Sequence, residues 1–204
     1  MTRLALAAAL AAAASSAPAA IMTSVGDSAG FTAALPSPTI EDFEDEAQGV
    51  LDQGGVPVPF DGFKITANGT STFADDFEID EDPGSLSQIL DLFLDPGNIP
   101  TFTLTFDSPI LAFGADFTSP ASGGGTVIEV DGEAIDLAAL PGVAPALTTF
   151  VGFTSDTPVS SLVLSSPTLE FVSLDNIVLQ AVPEPASFGL VAAAALIGVR
   201  VRRR

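Results

Sequence analysis

The 204-residue chain has no cysteine, histidine, tryptophan or tyrosine, and only six lysines and arginines. Without cysteine there is no disulfide framework, no thiolate metal site and no cysteine nucleophile. Without histidine there is no Ser-His-Asp triad and no imidazole general base, and the usual zinc sites lose a principal ligand. The few bases stand against 26 acids, for a net charge of -20. Phosphates would be repelled, which argues against nucleic acid as a partner. What the chain does have is 15 phenylalanines and a composition that is 47% hydrophobic. Its length fits one domain with a two-layer core.

The charge is unevenly placed. Residues 1–19 carry Arg3 and no acid, and residues 183–204 carry Glu184 against Arg200, Arg202, Arg203 and Arg204. The stretch 20–182 holds 25 acids against one base, Lys64, a net of -24. At the front, Met1-Thr2-Arg3 leads into an apolar run from Leu4 to Ala14, followed by the small residues Ala17-Pro18-Ala19. That pattern predicts a secretory signal peptide over 1–19, cleaved after Ala19, and a protein exported from the cytoplasm. The run is shorter than the roughly 20 residues of a membrane span.

The other end reads Val182-Pro183-Glu184-Pro185-Ala186-Ser187, then an apolar run from Phe188 to Val199, then Arg200-Val201-Arg202-Arg203-Arg204. The arginines act as a cytoplasmic basic stop, so the acidic segment faces outward. Prolines on both sides of Glu184 keep the helix from extending backwards. The run reads either as a retained membrane anchor or as a processed sorting signal, and Pro183-Glu184-Pro185 favours the second. These residues resemble the PEP-CTERM sorting signal of Gram-negative bacteria: triplet, short transmembrane helix, arginine-rich tail over 182–204. The resemblance implies a transient inner-membrane anchor and a membrane-embedded transpeptidase partner, an exosortase. It also implies a final place at the cell surface or in an exopolysaccharide matrix.

The acidic middle, 20–181, has a period of two from residue 100 onward, which predicts strands. Phe102, Leu104 and Phe106 share a face, and so do Leu111, Phe113, Ala115 and Phe117, with Asp107-Ser108-Pro109 read as a turn between them. Ser119 to Gly125 is a glycine-rich loop, and Asp131-Gly132 marks a hairpin. Thr148 to Phe153, Val159 to Ser165 and Leu169 to Leu179 read as further strands. In the first half, Thr39 to Phe43, Phe60 to Ala67 and Ser71 to Ile79 read as strands. Ser85 to Leu94 is predicted as a short helix, because Leu86, Ile89, Leu90 and Phe93 fall at helical spacing. The fold class predicted is all-β, a β-sandwich or jelly roll.

The second half also resembles domains of PEP-CTERM proteins and jelly-roll carbohydrate-binding modules. The resemblance rests on Phe113-Gly114-Ala115-Asp116-Phe117, Phe150-Val151-Gly152-Phe153 and Asp175-Asn176-Ile177-Val178-Leu179. In those modules an early Phe-Glu segment and a late Asp-Asn segment share a structural Ca²⁺. The resemblance therefore assigns Glu44, Asp175 and Asn176 as metal ligands. It departs from those modules in lacking the tryptophan and tyrosine that grip sugar rings.

The residues give their own reasons. Alternation places Asp175 with Phe171, Ile177 and Leu179, with Val172, Leu174 and Val178 on the opposite face, and an unpaired carboxylate there is costly to bury. With almost no basic partners in the chain, a hard cation with oxygen ligands is one solution and a bulge that turns Asp175 to solvent is the other. Asp76, Glu78, Asp80 and Asp82 form a second acidic row on one face, read as a solvated loop with a weaker metal reading beside it. Glu41, Asp42, Asp45 and Glu46 are expected to face solvent. The phenylalanines are expected in the core rather than on a sugar platform. The sequence thus predicts an exported, non-catalytic, calcium-stabilised surface or matrix protein that contacts extracellular polysaccharide. A carbohydrate-active enzyme or binding module, and a permanently membrane-anchored protein, are the alternatives.

Overall fold

The computed structural model of the chain describes residues 20–51, 54–70, 77–82 and 87–183. The predicted signal peptide over 1–19, Asp76, Glu184, Pro185, the Phe188–Val199 run and Arg200, Arg202, Arg203 and Arg204 lie outside them. The elements are β1 (Ile21–Val25), α1 (Ser28–Ala34), β2 (Thr39–Glu41), β3 (Gly49–Val50), β4 (Val58–Phe60), β5 (Phe63–Ala67), β6 (Phe77–Glu81), β7 (Gln88–Leu94), β8 (Thr101–Thr118), β9 (Val127–Val130), β10 (Glu133–Asp136), β11 (Thr149–Ser165) and β12 (Glu170–Ala181). All strand pairs are antiparallel. Among the described residues no helix is long and apolar enough to cross a membrane.

The chain is an all-β sandwich whose two layers share strands. In the first layer the order is β3-β6-β7-β12-β8-β11-β1, with β2 also paired to β12. In the second it is β4-β5-β8-β11-β9-β10. β8 and β11 belong to both. Their ladder runs from Thr149↔Phe117 to Thr154↔Ala112, slips around Val159↔Ile110, and resumes from Ser161↔Thr105 to Ser165↔Thr101. The predicted turn at Asp107-Ser108-Pro109 is therefore a corner within one long strand. Irregular pairing bends a strand, so the chain passes from one layer to the other without leaving the sheet.

Alternating apolar residues fill the space between the layers. Phe102, Leu104, Phe113, Ala115 and Phe117 of β8 are fully buried, as are Ile65, Leu90, Leu92, Leu164, Val172 and Leu174 from the strands around them. Phe77 of β6 meets Phe102 of β8 with ring centroids 5.2 Å apart across the core. Complete burial of such a ring contributes about 2–3 kcal/mol. Of the phenylalanines described, only Phe93 and Phe171 are not buried.

Residues 88–94 form a strand inside the sheet rather than the predicted helix. β7 pairs with β6 on one side and β12 on the other. Leu90, Leu92 and Leu94 face the core while Ile89 and Asp91 are buried on the outer face. A strand covered on both faces loses strict alternation, and its apolar residues mimic helical spacing. The one α-helix among the described residues lies elsewhere. Asp27 caps it by accepting from the Gly30 N–H at 2.8 Å. Its Phe31 ring lies on Gly114 and Gly152, where a Cβ would come within 3.0 Å of the ring.

A buried carboxylate ties the glycine-rich loop to β12. Glu170 is 1% exposed. Its Oε2 accepts from the N–H groups of Gly123 (3.0 Å), Gly124 (2.7 Å) and Gly125 (2.7 Å). Its Oε1 accepts from the Ser122 hydroxyl at 2.7 Å and from the Gly123 N–H at 2.9 Å. Burial pushes the acid's pKa up, but these donors outweigh it and hold the group below the usual glutamate value. The glycines are sterically required, since a Cβ on Gly124 would lie 1.8 Å from Thr168 Oγ1 and one on Gly123 would lie 2.0 Å from the Leu169 carbonyl oxygen.

Candidate functional site

The site forms where two strands exchange places beside β12. β7 pairs with β12 as far as Leu90↔Leu174, and β2 takes over at Glu41↔Ile177. Between them lie Asp175 and Asn176. Asn176 takes a left-handed φ of 49°, and the ladder to β8 shifts register between Asp175 and Val178. The bulge reverses the expected faces. Val172, Leu174, Ile177 and Leu179 all point into the core, and Val178 turns outward to pack with Phe31, Ala112 and Phe150.

The bulge opens a cleft of about 410 Å³ on the outer face of the first layer. Asp175 and Asn176 line it from β12, and Asp116 and Thr118 from β8. Asp42 and Glu44 enter from the loop after β2, and Asp82 from the end of β6. Glu44, Asp175 and Asn176, the three ligands implied by the resemblance, thus share one cavity. Asp42, expected to face solvent only, belongs to it as well.

The electrostatics are one-sided. Asp175 stands directly opposite Asp116 in the ladder. Burial raises the Asp175 pKa to about 6; the Asn176 N–H, donating to its Oδ1 at 2.7 Å, offsets part of this, and Asp116, Glu44 and Asp42 add to the rise. Burial also raises Asp116, against a hydrogen bond from Asn176 Nδ2 to its Oδ2 at 3.0 Å. With its amide nitrogen on Asp116, Asn176 has its carbonyl oxygen left for another partner. Glu44 is held by the Gln88 N–H, which donates to its Oε1 at 3.0 Å. Lys64 is the only base among the described residues, and its ammonium lies 3.9 Å from Asp107. Like charges facing one another in a half-buried cleft favour either a proton or a hard cation.

The cleft acids surround a space rather than converge on a point. Two other trios among the described residues have carboxylate oxygens within 4.8 Å of one another: Glu41, Asp42 and Asp45, and Glu78, Asp80 and Asp91. In the first, Glu41 is already committed. It is 4% exposed, not solvent-facing as expected, and accepts from the Phe43 N–H at 2.8 Å and the Asp61 N–H at 2.9 Å. The predicted acidic row is divided, with Glu78 and Asp80 in the second trio and Asp82 in the cleft. Pro183, the one described residue of the predicted sorting motif, is exposed just beyond the last backbone bond of the sandwich, from the Val182 N–H to the Pro109 carbonyl at 2.8 Å.

Sequence reasoning missed Asp116 and Asp91 as site residues. Asp116 sits on the outward face of an otherwise apolar strand, which is a readable signal. Its position opposite Asp175 depends on register, which is not.

No protein-family model and no curated protein matches the chain. Among solved structures it is similar to a mutant of CBM29-2, a family 29 carbohydrate binding module. The identity is 12% over 71% of this chain and 91% of that one, with a TM-score of 0.39.

Proposed function

We propose that this is an exported, non-catalytic surface or matrix protein whose acidic cleft holds a structural Ca²⁺ and whose tail is a PEP-CTERM sorting signal handled by an exosortase. The observation that carries the calcium reading is the facing pair Asp175 and Asp116, with Glu44 and Asp42 beside them and no described base nearby. Carboxylates, the Asn176 carbonyl and water supply the oxygen ligands that Ca²⁺ prefers. The chain has no histidine or cysteine, so the imidazole and thiolate groups that serve most acid-base and nucleophilic sites are missing, which favours a holding role over a catalytic one.

Export has support at the front of the domain. The Ala20 nitrogen lies 3.0 Å from Asp156 Oδ1. Cleavage after Ala19 turns that nitrogen into an ammonium and the contact into an ion pair at the start of β1. Intact mass of the mature protein tests both ends: a chain that begins before Ala20 overturns the cleavage reading, and one that keeps Arg204 overturns the sorting reading.

Melting of the full chain in calcium and in chelator tests the metal. At calcium about 100 times Kd the gain is about 2.7 kcal/mol, or roughly 5–10 °C for a domain of this size. Equal melting temperatures overturn the reading.

A second reading, contact with polysaccharide, is favoured by one observation. Phe171, 42% exposed, stands across from Phe93 with ring centroids 6.5 Å apart, on the same outer face as the cleft. A glycan array with wild-type and Phe171→Ala chains tests it, and binding that survives the substitution unchanged removes the aromatic pair from the account.

A further inference from the structure

Glu78 on β6 pairs directly with Asp91 on β7, and Asp80 lies two residues along the same face of β6. Their carboxylate oxygens lie within 4.8 Å of one another. Two features separate this trio from an ordinary solvated acidic face. Asp91 is 6% exposed, and its Oδ1 is buried with no hydrogen-bond partner. Asp91 thus keeps one buried carboxylate oxygen without a hydrogen-bond donor while its carboxyl group stands beside two further acids, and a buried acceptor left unmade costs free energy. Burial raises the Asp91 pKa, Ser173 on the neighbouring strand lowers it through a hydrogen bond, and Asp80 and Asp82 raise it.

We infer that Glu78, Asp80 and Asp91 form a second divalent-cation site on the outer face of β6 and β7, separate from the cleft around Asp175. Three carboxylates supply up to six oxygens, some of them bidentate, and water completes the shell of a calcium-type ion. The donor set is all oxygen, so softer metals that select nitrogen or sulfur are disfavoured. The ion would bridge β6 to β7 and satisfy Asp91 Oδ1. Among the described residues β6 is flanked on its other side only by the two-residue strand β3, so this bridge would fasten a weakly held margin of the first layer.

The test is calcium stoichiometry of the full chain by isothermal titration, for wild type, Asp91→Asn, Asp80→Asn and Asp175→Asn. The wild type takes up two ions. Asp91→Asn loses one of them and keeps the cleft ion, and Asp175→Asn does the reverse. Asp80→Asn alters an exposed side chain and leaves the fold intact, and it weakens one of the two affinities by about tenfold. Wild-type stoichiometry in both Asp91→Asn and Asp80→Asn overturns the second site and leaves the cleft reading standing. Loss only in Asp175→Asn does the same. If all three variants match the wild type, both sites fall.

Discussion

Glu170→Gln is nearly isosteric and removes only the charge. In the wild type three N–H groups converge on Oε2, and the Ser122 hydroxyl and a second contact from Gly123 reach Oε1. Glutamine can keep its oxygen towards Gly124 and Gly125 and turn its amide towards Ser122, but each retained bond becomes neutral. A hydrogen bond to a charged acceptor is worth about 1.5–3 kcal/mol against about 1 for a neutral one. Over three main-chain donors the loss is about 3 kcal/mol. That is a fall of roughly 6–12 °C in melting temperature for a domain of this size. The pH dependence follows from the sign of the shift. Because the folded-state pKa is lowered, the carboxylate's contribution is fully present above the unfolded value and fades as pH falls through the folded one. The gap between wild type and variant is therefore wide at neutral pH and narrows in strong acid. Thermal melts of both chains across that range measure it. A variant that melts with the wild type at neutral pH, or a gap that ignores acid, refutes the reasoning.

Three further outcomes follow from the same structure. Gly124→Ala places a Cβ where Thr168 Oγ1 lies 1.8 Å away and costs about 2–4 kcal/mol by denaturant unfolding, with no change in calcium binding. Phe77→Ala leaves a cavity against Phe102 and costs about 3–5 kcal/mol by the same assay. In chelator, the raised Asp175 binds its proton more tightly folded than unfolded, so stability grows as pH falls through about 6. Solvent screening at this half-buried group limits the gain to about 1 kcal/mol. Melts at pH 7 and pH 5 check the sign, and a flat or falling profile contradicts it.

The second layer and the long strands are legible in the sequence because each has one dry and one wet face. Phe102, Leu104 and Phe106 alternate with threonines, and Asp131-Gly132 supplies the two positive φ angles, 50° and 81°, that its hairpin uses. The failures have physical causes. β7 is covered on both faces, so Ile89 and Leu90 read as a helix. Asn176 introduces a bulge, so every face assignment beyond Asp175 is inverted. β1 and α1 carry too few apolar repeats to show a period, although Asp27 is a readable cap. Of the site, Asp175 stands out in the sequence as a carboxylate interrupting an apolar strand, while Glu44 and Asn176 follow only from the resemblance. Asp116 shows as an acid on an otherwise apolar strand, but its role and that of Asp91 lie in cross-strand register. Glu170 looked like any other acid until the loop folded over it.

The central claim is that a cation occupies the cleft at the β12 bulge. The Asn176 N–H donates to Asp175 Oδ1 at 2.7 Å, so an ion on that carboxylate must disturb it. A calcium titration of the ¹⁵N-labelled full chain followed by amide chemical shifts tests this directly. The account predicts that Asn176, Asp175, Asp116 and Glu44 shift together and saturate with one affinity. Unmoved amides at these four residues, at calcium levels that saturate the protein elsewhere or not at all, would contradict it.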